Sequence, residues 1–222
     1  MRVEIEKLPS NCGFKMTQSF LVQRILDAAE IDIRMTTPTI SLLLAKDKDG
    51  PDRKHSWNYR TLKGMLGYLQ LTTRPDISMA THQCARFNNR PKLSHERAVK
   101  RICKYLLFSK NEGIIFRPDI FRGLECHVDA DFAGGWATSD GTQTETVLSR
   151  TGYIISYVGC PIYWASKLQT EIAISTTEAE YICSLVDSYE GNAAISQSRV
   201  RIENSSARVG KPAQVFLHGV GR

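Results

Sequence analysis

Leu124-Glu125-Cys126-His127-Val128-Asp129-Ala130-Asp131 alternates apolar or small side chains with polar ones. A period of two marks a half-buried strand, with Leu124, Cys126 and Val128 facing inward and Glu125, His127 and Asp129 facing outward. Asp131 continues the polar row, so two carboxylates two residues apart project from one face. Like charges that close repel, and a divalent cation relieves the repulsion. Mg²⁺ is the natural candidate because it prefers oxygen ligands and keeps several waters. The plainer reading of the same residues is a strand end with solvated acids, and His127 as an exposed strand histidine.

Outward from this stretch the pattern stays sheet-like. Gly113 to Phe116 is short and apolar, and residues 132–146 are Gly- and Thr-rich and read as a loop. Strands are expected over about 150–158 and 162–167, with Gly159-Cys160-Pro161 as the hairpin signal between them. Thr176 or Thr177 then caps a helix reaching about Asp187, with Ala179, Ile182, Cys183 and Val186 as its apolar stripe. Glu178 and Glu180 each lie about 100° from Ala179 on opposite sides of that helix, and Asp187 lies on the Glu180 side. Either glutamate offers a third carboxylate, and spacing does not choose between them. Acids in a first turn are also favoured by the helix dipole alone.

Before Gly113 the period is helical. A helix over 17–30 is capped by Thr17 and turns Phe20, Leu21, Ile25 and Ala28 inward. A second over 60–72 carries Leu62, Met65, Leu66 and Leu69. Pro75 suits the first turn of a third, about 76–88. Ser94 caps a fourth, about 95–108, with Ala98, Ile102 and Tyr105 inward. Residues 45–56, with Gly50-Pro51, form a charged loop. From Ser188 the chain is Ser-rich and basic; Val200, Ile202, Val215 and Leu217 allow short strands there. Three segments follow: a mainly helical 1–110, a sheet-bearing 111–187, and an irregular tail, 188–222.

The 222 residues are 42% apolar and 23% charged, ordinary for a globular chain and against wholesale disorder. No apolar run approaches the roughly 18 residues that would span a bilayer, so no membrane partner is expected. Met1 to Glu6 alternates charged and apolar side chains and is not a signal peptide. The six cysteines are scattered and form no Cys-x-x-Cys pair, as expected of reduced thiols in an intracellular, unsecreted protein of the cytoplasm or nucleus. Net charge is +6, unevenly spread: residues 1–110 hold 20 Lys and Arg against 10 Asp and Glu, residues 111–187 hold 4 against 11, and residues 188–222 hold 5 against 2. The basic charge peaks at Arg86, Arg90, Lys92, Arg97, Lys100, Arg101, Lys104 and Lys110, opposed by Glu96 alone. Such a stripe can track a phosphate backbone; the plainer reading is a solvated helix face. No phosphate-cradling Gly-rich loop, His-Glu-x-x-His or Gly-x-Ser-x-Gly occurs.

Several motifs together resemble one family. Gly64-Met65-Leu66-Gly67-Tyr68-Leu69, Thr73-Arg74-Pro75-Asp76-Ile77, Ala85-Arg86-Phe87, His95 and Ala98 to Leu106 resemble the end of a copia-type (Ty1/copia) retrotransposon reverse transcriptase. Val128-Asp129-Ala130-Asp131-Phe132-Ala133-Gly134, Ser149 to Tyr153, Trp164-Ala165-Ser166-Lys167 and Ser175 to Ile182 resemble, in order, the RNase H domain that follows it. The resemblance covers about residues 1–187. It implies an α+β or α/β chain: a helical connection segment, then a truncated RNase H-like mixed sheet with flanking helices. It implies hydrolysis of the RNA strand of an RNA–DNA hybrid with two Mg²⁺ ions, and the rest of a reverse transcriptase polyprotein as a partner. Asp129 matches the first catalytic carboxylate and Glu180 the second, with Asp131 a further metal ligand. Arg86, Arg90, Lys92, Arg97, Lys100, Arg101 and Lys104 would serve nucleic acid.

The family's polymerase Asp-Asp motif is absent, so no polymerase activity is expected. The family's later Asp-Asn strand and final Asp have no clear counterpart. Gly191-Asn192 stands where Asp-Asn is expected, and Glu203 has no matching context. The tail is therefore expected to be frame-shifted, deleted or spliced, leaving half a metal site and an impaired nuclease. The alternative is a non-catalytic nucleic-acid-binding remnant using the basic stripe over 86–110.

Overall fold

The structure, a computed structural model, describes residues 2–9, 12–39, 44, 46–54, 57–131, 148–181, 198–202 and 213–219. The chain divides into two compact units, Met1–Ile115 and Phe116–Arg222. Both helices and antiparallel sheets are present, an α+β composition.

The first unit packs four helices, α1 (Ser19–Ala29), α2 (Tyr59–Thr72), α3 (Ser78–Ala85) and α4 (Leu93–Phe108), around one apolar core. Helical spacing builds it: Leu21, Val22, Ile25, Leu26 and Ala29 from α1, Leu62, Leu66 and Leu69 from α2, and Val99, Ile102, Cys103 and Leu106 from α4 are buried. Asn58 caps α2 by accepting the Thr61 N–H at 3.0 Å. A 3₁₀ turn, Pro75–Ile77, leads into α3, which ends at Ala85, short of the expected 88. Its last turn tightens, with Arg86 N–H donating to Gln83 O and Phe87 N–H to Cys84 O.

Two expected caps prove otherwise engaged. Thr17 lies in a strand and its hydroxyl donates to Glu4 Oε2, so α1 begins at Ser19 after Gln18. Ser94 donates to Asp47 at 2.6 Å, and α4 starts two residues earlier than expected, after Lys92, whose N–H donates to His95 Nδ1 at 2.9 Å. The His95 ring is buried flat on Phe87, centroids 4.0 Å apart. Tyr105, expected inward, is only partly buried.

A small sheet was not anticipated in this mainly helical half. Strands β1 (Glu4–Lys7) and β2 (Phe14–Thr17) pair antiparallel, and β3 (Ile114–Phe116) adds beside β2. Gly113 permits that approach, because a Cβ there would sit 2.0 Å from the Met16 carbonyl oxygen.

The Thr73-Arg74-Pro75-Asp76 motif is a lock. Arg74 is 1% exposed. Its guanidinium donates to Ser109 O at 2.9 Å, Ser109 Oγ at 2.6 Å and both Asp76 carboxylate oxygens. Tyr105 Oη donates to Asp76 Oδ2 at 2.7 Å. The turn after α2 is thereby tied to the end of α4. Burial pushes the Asp76 carboxyl up, but Arg74 and Tyr105 outweigh it and hold it below the ordinary carboxylate range.

The second unit is a five-stranded sheet ordered β6-β5-β4-β8-β7, with β4 (Leu124–Asp131), β5 (Arg150–Tyr157), β6 (Cys160–Leu168), β7 (Ser198–Ile202) and β8 (Ala213–Gly219). Val158 and Gly159, both at positive φ, make the β5–β6 turn, as a two-residue hairpin with matching twist requires. Cys160 and Pro161, expected in the turn, instead open β6, an edge strand that tolerates proline. Cys126, Val128, Tyr153 and Ile155 form the core of this sheet, with Leu124, Ala130 and Ala165 against it.

Every neighbouring pair among the described strands of this sheet is antiparallel. A parallel neighbour needs a crossover between strands; here β8 pairs with β7 as an antiparallel ribbon and lays its other edge on β4. Val200, Ile202, Val215 and Leu217 lie in these two strands, so the tail is not irregular throughout.

Candidate functional site

The β4 pleat sorts its residues as the alternation requires. Cys126 and Val128 are buried, while Asp129 and Asp131 are exposed on the opposite face with Glu125 and His127. In register, Asp129 lies opposite Gly152, Asp131 opposite Arg150, and His127 opposite Ile154. His127 Nε2 stands 3.8 Å from Glu125 Oε2. Glu125 is itself held by Arg122, whose Nε donates at 2.9 Å, and that bond keeps the Glu125 carboxyl below its ordinary range.

The helix carrying the third carboxylate is described over 176–181. Its cap is Ser175, rather than Thr176 or Thr177. Ser175 Oγ accepts the Glu178 N–H at 3.1 Å, Ser175 O accepts the Ala179 N–H at 3.0 Å, and the Glu178 carboxylate accepts the Ile174 N–H at 2.7 Å. This is the Ser-x-x-Glu box, displaced by one donor. Glu178 is therefore committed to the helix end, whereas Glu180 is exposed one residue past buried Ala179.

Gln169 fixes where the helix sits. Buried after β6, it donates through Nε2 to Thr151 Oγ1 at 3.1 Å and to the Ala179 carbonyl at 2.8 Å. Thr151 pairs with Ala130, the residue between the two aspartates. Gln169 thus ties the helix turn bearing Glu180 to Thr151 of β5, whose side chain shares the Ala130 face of the sheet, opposite the face of the aspartates. Nothing in the sequence marks Gln169 as this joint.

Asp129 and Asp131 offer hard oxygen donors on one exposed face, which fits Mg²⁺ in kind, since that ion is bound through one or two carboxylates and retained waters. Among the described residues no group of three or more His, Cys, Asp or Glu side chains stands together as a metal site. Gly191 and Asn192 lie outside the described residues, as do Asp187, Glu203 and the stretch 132–147.

The basic residues separate. Arg97, Lys100, Arg101 and Lys104 recur at helical spacing on α4 and line, with Lys46, a cavity of about 680 Å³ over an apolar floor that includes Ala80, Cys84, Ala98 and Ile102. Arg101 donates to Thr37 Oγ1 at 2.7 Å. Lys92 is paired with Asp52 at 2.8 Å, Arg86 lies over the Phe87 ring, and Arg90 is exposed between α3 and α4. The seven cations expected in one stripe are thus four together and three elsewhere.

The described cysteines Cys12, Cys84, Cys103, Cys126 and Cys160 are free thiols. Among the described residues no helix is long and apolar enough to cross a membrane.

No family model matches the chain, and no solved structure matches it. Curated proteins do. The retrovirus-related Pol polyprotein from transposon RE1 of Arabidopsis thaliana is 38% identical over 123 residues, 55% of this chain and 8% of that one. The Pol polyprotein from transposon TNT 1-94 of Nicotiana tabacum is 38% identical over 128 residues, 57% of this chain and 9% of that one. A chain named secreted RxLR effector protein 161, from Plasmopara viticola, is 32% identical over 124 residues, 56% of this chain and 82% of that one. The matched stretch spans less than a tenth of either polyprotein. By these likenesses, and by the motifs in their order, the chain belongs to the copia-type retrotransposon polyprotein family, as a fragment of such a polyprotein.

Proposed function

We propose that the second unit is an RNase H-like domain that hydrolyses the RNA strand of an RNA–DNA hybrid, weakened by the missing later carboxylates. One observation carries the reading: Asp129 and Asp131 stand exposed together on the polar face of β4, while the Ser175–Glu178 cap leaves Glu180 as the helix carboxylate for chemistry. Asp129 and Glu180 are assigned as the catalytic pair and Asp131 as an accessory ligand. Bound by these groups, Mg²⁺ supplies activation of the attacking water and stabilisation of the leaving oxygen. Asp129, Asp131 and Glu180 are the residues that would hold the cation, and Gln169 ties the glutamate turn to Thr151 of β5.

Incubating the full chain with a labelled RNA–DNA hybrid and Mg²⁺ tests the reading. Slow cleavage that Asp129→Asn and Glu180→Gln both abolish is the expected result. Absence of cleavage at any Mg²⁺ concentration defeats it.

A second reading, a non-catalytic nucleic-acid-binding remnant, is favoured by the clustering of Arg97, Lys100, Arg101 and Lys104 on one face of α4. It requires binding that weakens steeply with salt and is lost when these four are neutralised.

A further inference from the structure

Gly152 sits in mid-strand on β5, between Asp129 of β4 and Ser166 of β6 in the register of the sheet. A glycine there weakens a strand and needs a reason. Among the described residues, two structural reasons are absent. Its φ is not among the positive values, which belong to Gly13 and Gly159 among the described glycines. Among the described residues space does not demand it either: a Cβ would meet only the Asp129 carbonyl oxygen, at 3.9 Å, an ordinary contact. Gly113, where a Cβ would strike Met16 O at 2.0 Å, shows what a structural demand looks like in this chain.

What the missing side chain creates is a clearing. On the polar face, Asp129, Gly152 and Ser166 form one row, spanning about 10 Å at the usual strand spacing. Larger residues bound it: His127, Ile154 and Trp164 on one side, Asp131, Arg150 and Leu168 on the other. Arg150 Nη1 reaches Ser166 Oγ at 3.4 Å along the second wall. Among the described residues, only the Asp129 carbonyl oxygen comes within 4 Å of where a Cβ at 152 would lie.

We propose that Gly152 is the floor on which the sugar–phosphate backbone of the substrate RNA strand lies beside Asp129. This rests on the nuclease reading above and adds to it the residue that admits the strand. A β-branched side chain at 152 stands in the strand's path while suiting the sheet itself.

The test compares the unaltered full chain with Gly152→Val and Gly152→Ala. Binding of a fluorescein-labelled poly(rA)–oligo(dT) hybrid is read by anisotropy, and thermal melting is read on the same samples. The expected result is a melting midpoint unchanged or raised in both variants, with affinity lowered about tenfold or more by valine and less by alanine. Valine binding the hybrid as tightly as glycine overturns the proposal. A lowered melting midpoint in both variants overturns it too, since the glycine is then required by the fold. Failure of the unaltered chain to bind the hybrid instead defeats the underlying nuclease reading, and the inference with it.

Discussion

The Glu178 carboxylate accepts the Ile174 backbone N–H at 2.7 Å, closing the first turn of the helix that carries Glu180. Two glutamates that spacing leaves equivalent are given different work by this bond. Glu178→Ala is expected to cost about 1 kcal/mol of stability, the usual worth of a cap, and to leave hybrid cleavage near normal. Glu180→Gln is expected to do the reverse. Melting curves and cleavage rates on both variants decide; cleavage lost in Glu178→Ala with its fold intact would reverse the assignment.

How much of this was legible depends on how local the cause is. The strand through Asp129 and Asp131 reads directly, because its two faces meet different surroundings and the period records it. The Ser175 cap was within reach: Ser175-Thr176-Thr177-Glu178 contains the box, but three adjacent hydroxyls compete and only the backbone selects one. Residues 4–7 hide their strand, since Ile5 is 69% exposed and no inward face shows. The grouping of Arg97, Lys100, Arg101 and Lys104 follows from helical spacing. The diversion of Lys92 to Asp52 does not, because its partner lies forty residues away. Gln169 and the pairing of β8 with β4 are likewise long-range facts.

The Arg74–Asp76 lock gives the Thr-Arg-Pro-Asp motif a structural role. Asp76→Ala leaves a guanidinium that is 2% exposed without its carboxylate, and a loss of about 3 kcal/mol is expected. Tyr105→Phe removes one hydrogen bond to the same carboxylate and is expected to cost about 1 kcal/mol. Denaturant unfolding of the full chain measures both. Equal, negligible losses would show that the network holds nothing together.

The same carboxylate makes stability depend on pH. Its folded-state value is depressed by Arg74 and Tyr105 against the opposing effect of burial. The folded form therefore binds its proton less readily than the unfolded chain, whose aspartates titrate near about 3.9. The stabilisation is present above that value and is lost as pH falls through the lower folded value. Asp76→Asn is expected to flatten this part of the acid limb, with little change in the slope nearer neutrality. An unchanged acid limb would place the titrating group elsewhere.

The thiols offer a check on the core that needs no nucleic acid. Cys84 and Cys103 are buried between helices, and burial pushes each thiol up to about 12. The thiolate is the reactive form, so near neutral pH both are starved of it as well as shielded from reagent. Cys12 is exposed at the surface. With a maleimide or a disulfide reagent near neutral pH, Cys12 is expected to react first, while Cys84 and Cys103 wait for unfolding and appear together with the loss of helical circular dichroism. Early modification of Cys84 in the folded chain would mean that α3 does not stay packed on the core, and that the cavity lined by Cys84, Arg97 and Arg101 opens far enough to admit a reagent.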